Sequence, residues 1–136
     1  MKTTFDVMDI IWQKLNQAIA SQISGKIYKL KRPLNSKLED VIINTLPLSS
    51  DQMQQCVVNV NGYVPNKTVK IDGVTNEVPD TIRLKAITEL ISTHLKEIIS
   101  DTYYFFISGQ QTIHDESNNE YYINIRVDFS FTEFNS

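Results

Sequence analysis

A single cysteine, Cys56, stands among the 136 residues, which excludes a disulfide within the chain and any cysteine-rich zinc site. Glycine and proline are sparse too, at four each. Gly25, Gly62, Gly73 and Gly109 are scattered too widely to form a phosphate-cradling loop. Long apolar runs are missing. The longest, Tyr103 to Ile107, falls far short of a membrane span. No basic start followed by an apolar stretch marks a secretory signal, so the expectation is a protein that stays in the cytosol that makes it.

What is present describes one domain over residues 1–136. Hydrophobic residues at 41% and charged residues at 21% give the balance of a globular protein rather than a disordered one. A chain of 15.6 kDa buries roughly two-thirds of its unfolded surface, enough for a core without staples. Charge is unevenly spread. Residues 1–37 carry seven basic side chains against Asp6 and Asp9, a net of +5, whereas residues 38–136 carry six basic and fourteen acidic, a net of −8. The basic excess lies in Lys26, Lys29, Lys31, Arg32 and Lys37. Such a cluster suits phosphate binding, a solvated strand and loop, or a basic edge that meets the acidic edge of another copy. The acidic overall balance argues against nucleic acid as the main partner.

Thr3 has the character of a helix N-cap with Asp6 three residues on. Phe5, Met8, Trp12, Leu15 and Ile19, with Ile11 beside them, recur at helical spacing and predict a helix over 4–21 ended by Gly25. Lys26 to Arg32 reads as a short strand, Pro33 to Lys37 as a polar turn, and Glu39 to Leu46 as a β-branched strand closed by Pro47. A turn at Ser49, Ser50 and Asp51 leads into the clearest strand, Gln55 to Val64. There Cys56, Val58, Val60 and Val64 alternate with Val57, Asn59, Asn61 and Tyr63.

Residues 65–79, between two prolines, form a long connection in which Val69, Ile71 and Val74 fit a small hairpin. Asp80 then caps a second helix over 81–100, with a stripe of Leu84, Ile87, Ile91, Leu95 and Ile98. Two long strands close the pattern, 103–113 and 120–132, forming a C-terminal hairpin over 103–132 around a turn at Asp115 to Asn119. The order α-β-β-β-loop-α-β-β predicts an α+β fold: an antiparallel sheet of four to five strands with two helices packed on one face. The long hairpin either projects as an arm or completes the sheet.

Sites for chemistry are few. His94, at the margin of the second helix's stripe, reads as a histidine flanking the core. His114, Asp115 and Glu116 at the hairpin turn are the one set with metal-ligand character, but exposed turns rarely fix ligand geometry. Cys56, among alternating apolar neighbours, reads as a small core residue. No catalytic residue, metal or cofactor is assigned. A strand with aromatic residues on both faces at 103–107 needs a cover on each, which leaves the 65–79 loop or a second copy for the face the helices do not reach. An apolar pocket lined by Trp12, Tyr28, Tyr63 and Phe105 is the alternative of a small binding domain.

The strand Val57-Val58-Asn59-Val60-Asn61-Gly62-Tyr63-Val64-Pro65, followed by a polar loop and an amphipathic helix, resembles the tail completion or tail terminator (head–tail joining) proteins of long-tailed bacteriophages. The order of elements is similar over most of the chain. The resemblance implies a structural virion protein, made in the bacterial host cytoplasm and forming a ring, typically of six copies, at the tail end or neck. Its partners would be itself and tail-tube or neck proteins, with no membrane and no catalysis. The 65–79 connection is longer than the resemblance leads one to expect. Tyr104, Phe106 and Tyr122, supported by Lys29, Lys31 and Arg32, are the expected contacts between copies.

Overall fold

A computed structural model describes residues 3–46 and 54–131. The expected strand end at Pro47, the turn at 49–51 and residue 132 lie outside them. The first helix, α1, is Thr4–Ile19, continued by one 3-10 turn at Ala20–Gln22. Its start is the expected one. The Asp6 amide donates to the Thr3 hydroxyl, and the Thr3 amide donates to the Asp6 carboxylate at 2.7 Å, closing a capping box. The buried stripe is Val7, Met8, Ile11, Leu15 and Ile19. Phe5 is not part of it: at 62% exposure it lies on the flank, because the stripe follows 7, 11, 15 and 19.

Gly25 has a different task from ending the helix. A methyl group there would sit 2.1 Å from Asp40 Oδ1 and 2.5 Å from the Glu39 carbonyl oxygen, so only glycine admits the close approach. Strand β1, Ile27–Lys29, then pairs with β2, Val41–Thr45, in parallel. This corrects the expectation of a purely antiparallel sheet. Residues 30–40 do not turn back as a hairpin; they form a long return loop of the kind a parallel pair requires.

Six strands make the main sheet, not four or five, in the order β1-β2-β3-β8-β7-β6. Strand β3, Gln55–Val64, has the expected bounds, and β7 and β8 are Tyr103–Asp115 and Glu120–Phe131. The C-terminal hairpin completes the sheet. Its strand β8 pairs with β3 from Val64↔Tyr121 to Gln55↔Ser130 and so lies at the centre. The sixth strand, β6 at Glu97–Ile99, replaces the expected last turn of the second helix. That helix, α2, spans Thr81–Leu95, and its N-cap is Asp80 as expected, accepting from the Arg83 amide at 3.2 Å. Ile98 fits the helical spacing, but two β-branched residues there extend and pair with β7 instead.

Both helices lie against one face of the sheet. Ile11 and Leu15 of α1 and Ile87 and Ile91 of α2 join Ile43, Val58, Val60, Ile125 and Val127 in one core. The 65–79 connection holds the small hairpin, β4 at Lys67–Ile71 and β5 at Val74–Val78, as a separate two-stranded sheet. Its turn is Asp72-Gly73, both with positive φ, the two-residue form that matches strand twist.

Candidate functional site

The sheet face opposite the helices is built from the alternate residues of each strand, and among the described residues no helix covers it. Its middle is a ladder of amides. The Asn59 amide donates to Asn44 Oδ1 at 3.2 Å, and the Asn124 amide donates to Asn59 Oδ1 at 3.2 Å and Asn61 Oδ1 at 2.7 Å. Side chains from β2, β3 and β8 are thereby tied together, which satisfies groups that a partly covered face would otherwise leave costly.

At one end of this face Tyr63 and Tyr122 stack with ring centroids 4.6 Å apart, and the Arg32 guanidinium lies 4.4 Å from the Tyr63 ring. Burial first, then the neighbouring Tyr122 and Asp115, push the Tyr63 phenol up to about 12. Arg32 is anchored from below. Its Nε donates to Asp40 at 2.9 Å, Nη1 lies 3.4 Å from Glu120, and Nη2 donates to the Ser36 and Leu38 carbonyls, both at 3.1 Å. Asp40 and Glu120 are almost wholly buried, so this cation neutralises carboxylates inside the molecule. The companion pair Arg83–Glu39, at 2.7 Å, ties α2 to the start of β2. The Arg83 hydrogen bond holds the Glu39 carboxyl below its usual range, opposed by burial and aided by the Ser24 amide.

At the other end lies a cleft of about 420 Å³ bordered by Leu46, Val57, Tyr104 and Phe106, with Gln55, Asp128 and Ser130 between them. Phe106 is 40% exposed, and Ile99, paired with Tyr104, is exposed as well. The 65–79 hairpin supplies no strand to this sheet and does not line the cleft.

The six residues singled out in the sequence therefore fall into separate groups. Tyr104 and Phe106 sit together at the cleft. Tyr122 lies six residues before Asp128, the β8 partner of Phe106, about 20 Å away, and joins Tyr63 and Arg32 instead. Lys29 is ion-paired with Asp9 and stands 5.4 Å from the Trp12 ring, while Lys31 is exposed. The pocket expected from Trp12, Tyr28, Tyr63 and Phe105 is not assembled. Phe105 packs on Phe129 in the core and the Trp12 indole donates to the Ile27 carbonyl at 2.8 Å, whereas Tyr28 and Tyr63 lie on the opposite sheet face.

His94 is exposed, a correction to its expected place beside the core. His114 shares a hydrogen bond with Asn119 at 3.1 Å and packs on Tyr121, and Asp115 accepts from Ser117 and Asn118, so both close the β7–β8 turn. Cys56 is buried, and burial raises its thiol to about 11. Among the described residues, no group of three or more His, Cys, Asp and Glu is placed to hold a metal, and no helix is long and apolar enough to cross a membrane. The inward role of Arg32 had one sequence signal, the adjacent carboxylates Glu39-Asp40 beside a basic stretch. No family model matches this chain, and no curated protein matches it.

Proposed function

We propose that this chain is a structural virion protein that acts as a ring of copies, in the manner of the tail completion and terminator proteins it resembles. It would be made in the bacterial host cytoplasm and seated at the tail end or neck against tube or neck proteins. The observation that carries the reading is the uncovered corner of the sheet where Leu46, Val57, Tyr104 and Phe106 surround Asp128, aromatic and aliphatic area of the kind interfaces bury around a single charge. The aromatic residues offer buried area and the amide ladder holds the face rigid. Lys31, on the loop at the other end, is the expected cation left to meet an acidic neighbour. Two different patches on one chain make a head-to-tail contact, which closes into a ring when the rotation permits.

Light scattering behind a sizing column tests this. The expected result is a species several times 15.6 kDa that falls apart as salt is raised. The double variant Tyr104→Ser, Phe106→Ser should give a folded monomer with near-native melting. A variant that unfolds would place both residues in the core and remove the interface assignment.

A further inference from the structure

Strand β7 is paired on both sides only at its beginning. β6 matches residues Tyr104 to Phe106, and among the described residues nothing pairs with the outer edge of residues 108–115. That edge carries no charge and no proline before Asp115; a bulge between Ile107 and Gly109 marks its start, and the residues beyond it pair with β8 in unbroken register. Beside it, between α2 and the helix-side face of β7, runs a groove of about 510 Å³ whose floor is Gln110, Thr112 and Ile123 and whose wall is Leu84, Lys85 and Thr88. A helix wall beside an unpaired strand edge is the geometry that takes up an extended segment by strand addition.

The same chain carries a segment of the matching kind. In the β4–β5 hairpin the register places Val69, Ile71, Val74 and Val78 on one face together with Lys67 and Asn76 at its base, with Thr68, Lys70, Thr75 and Glu77 on the other. Ile71 is 51% and Val74 62% exposed. A lone two-stranded hairpin is marginal in water, so an uncovered apolar face is a cost that docking removes. Strand β4 carries Lys67 and Lys70 and no acid, while the open edge runs to Asp115 and Glu116; on the groove wall Glu89 is already paired with Lys85.

We propose that the β4–β5 hairpin of one copy adds as a strand to the open edge of β7 in a second copy, its apolar face filling the groove beside α2. This rests on the ring reading above and gives it a donor and an acceptor. Added in plane, the hairpin would turn Ile71 and Val74 toward Leu84 and Thr88 and leave Lys70 on the outer face. Because donor and acceptor are different surfaces, the contact is head-to-tail.

A complementation experiment tests it on the full chain. Ile71→Asp with Val74→Asp disables the donor at exposed positions, and Gln110→Trp plugs the groove at another. Circular dichroism and melting establish that each variant is folded. Each alone should run as a monomer. Their mixture should form a complex of twice the chain mass and nothing larger, since only one donor and one acceptor remain. A donor variant that keeps the wild-type mass overturns the inference and leaves the ring reading intact. A groove variant that still assembles, or a mixture that stays monomeric, overturns the groove as the docking site. Wild type that is monomeric at every concentration, with hairpin amides protected from exchange by its own groove or not, overturns both. Should Gln110→Trp fail to fold, Thr112→Asp at the same floor takes its place.

Discussion

Removing the Arg32 guanidinium takes a cation from two buried carboxylates at once, leaving Asp40 only the Ser36 hydroxyl and a backbone amide, and Glu120 only the exposed Lys37 at 3.7 Å. Breaking a buried pair from one side typically costs about 3–5 kcal/mol, much of it the uncompensated charge. Arg32→Met should therefore lower the urea midpoint strongly, and adding Asp40→Asn should recover part of the loss. Had Arg32 been a surface interface cation, the single variant would be nearly neutral in stability. Glu39 makes a separate prediction. Its carboxyl is held below the ordinary 4.5, chiefly by Arg83, so the pair's contribution is present above that pH and is lost as pH falls through the lower folded value. An acid titration of stability should show a shallower decline for Glu39→Gln than for the wild type. The identities of these charges were plain in the sequence; their pairing was not. Arg32 and Glu120 are 88 positions apart, a separation no local pattern registers.

Among the elements, the legible ones have an uninterrupted period. β3 is alternating over its length, and α2 carries Leu84, Ile87, Ile91 and Leu95 against the sheet. Ile87→Ala removes a fully buried side chain from that seam and should cost about 2–5 kcal/mol by chemical denaturation. Phe5→Ala, on the exposed flank of α1, should cost well under that. The failures have equally local causes. β6 and β1 are three residues each, too short to establish a period, and Ile98 satisfied both the helical spacing and a β-branched strand. Parallel pairing of β1 with β2 was hidden because a polar Pro33–Lys37 segment reads as a turn whether it reverses the chain or carries it back.

For the whole molecule, α+β with two helices against a sheet followed from element order, because amphipathic helices and half-apolar strands bury themselves by packing together. The candidate site was legible only in part. Tyr104 and Phe106 stood out as apolar on a face the helices could not also cover, and the structure leaves them there. The groove beside α2 was not visible, since it arises where one strand outruns its neighbour. At this scale the mass measurement carries the decision. If copies assemble as proposed, salt should weaken the contact to the degree that Lys31, Lys67, Lys70 and their acidic counterparts remain solvated, while the area buried by the aromatic corner should be insensitive to it.

The central position of β8 has a consequence for how the chain reaches this state. β3 finds its partner only when Tyr121 to Ser130 has been made, 57 residues after Val64 at one end of the pairing and 75 after Gln55 at the other. At about 5–20 residues per second of synthesis that is a wait of roughly 3 to 15 s. Throughout it, an apolar strand with one open side is available to any other nascent copy. Refolding should accordingly be slow for a domain of this size, since the pairing that closes the core is the least local one. Yield in the cell would then depend on temperature and expression rate more than on the stability of the finished fold.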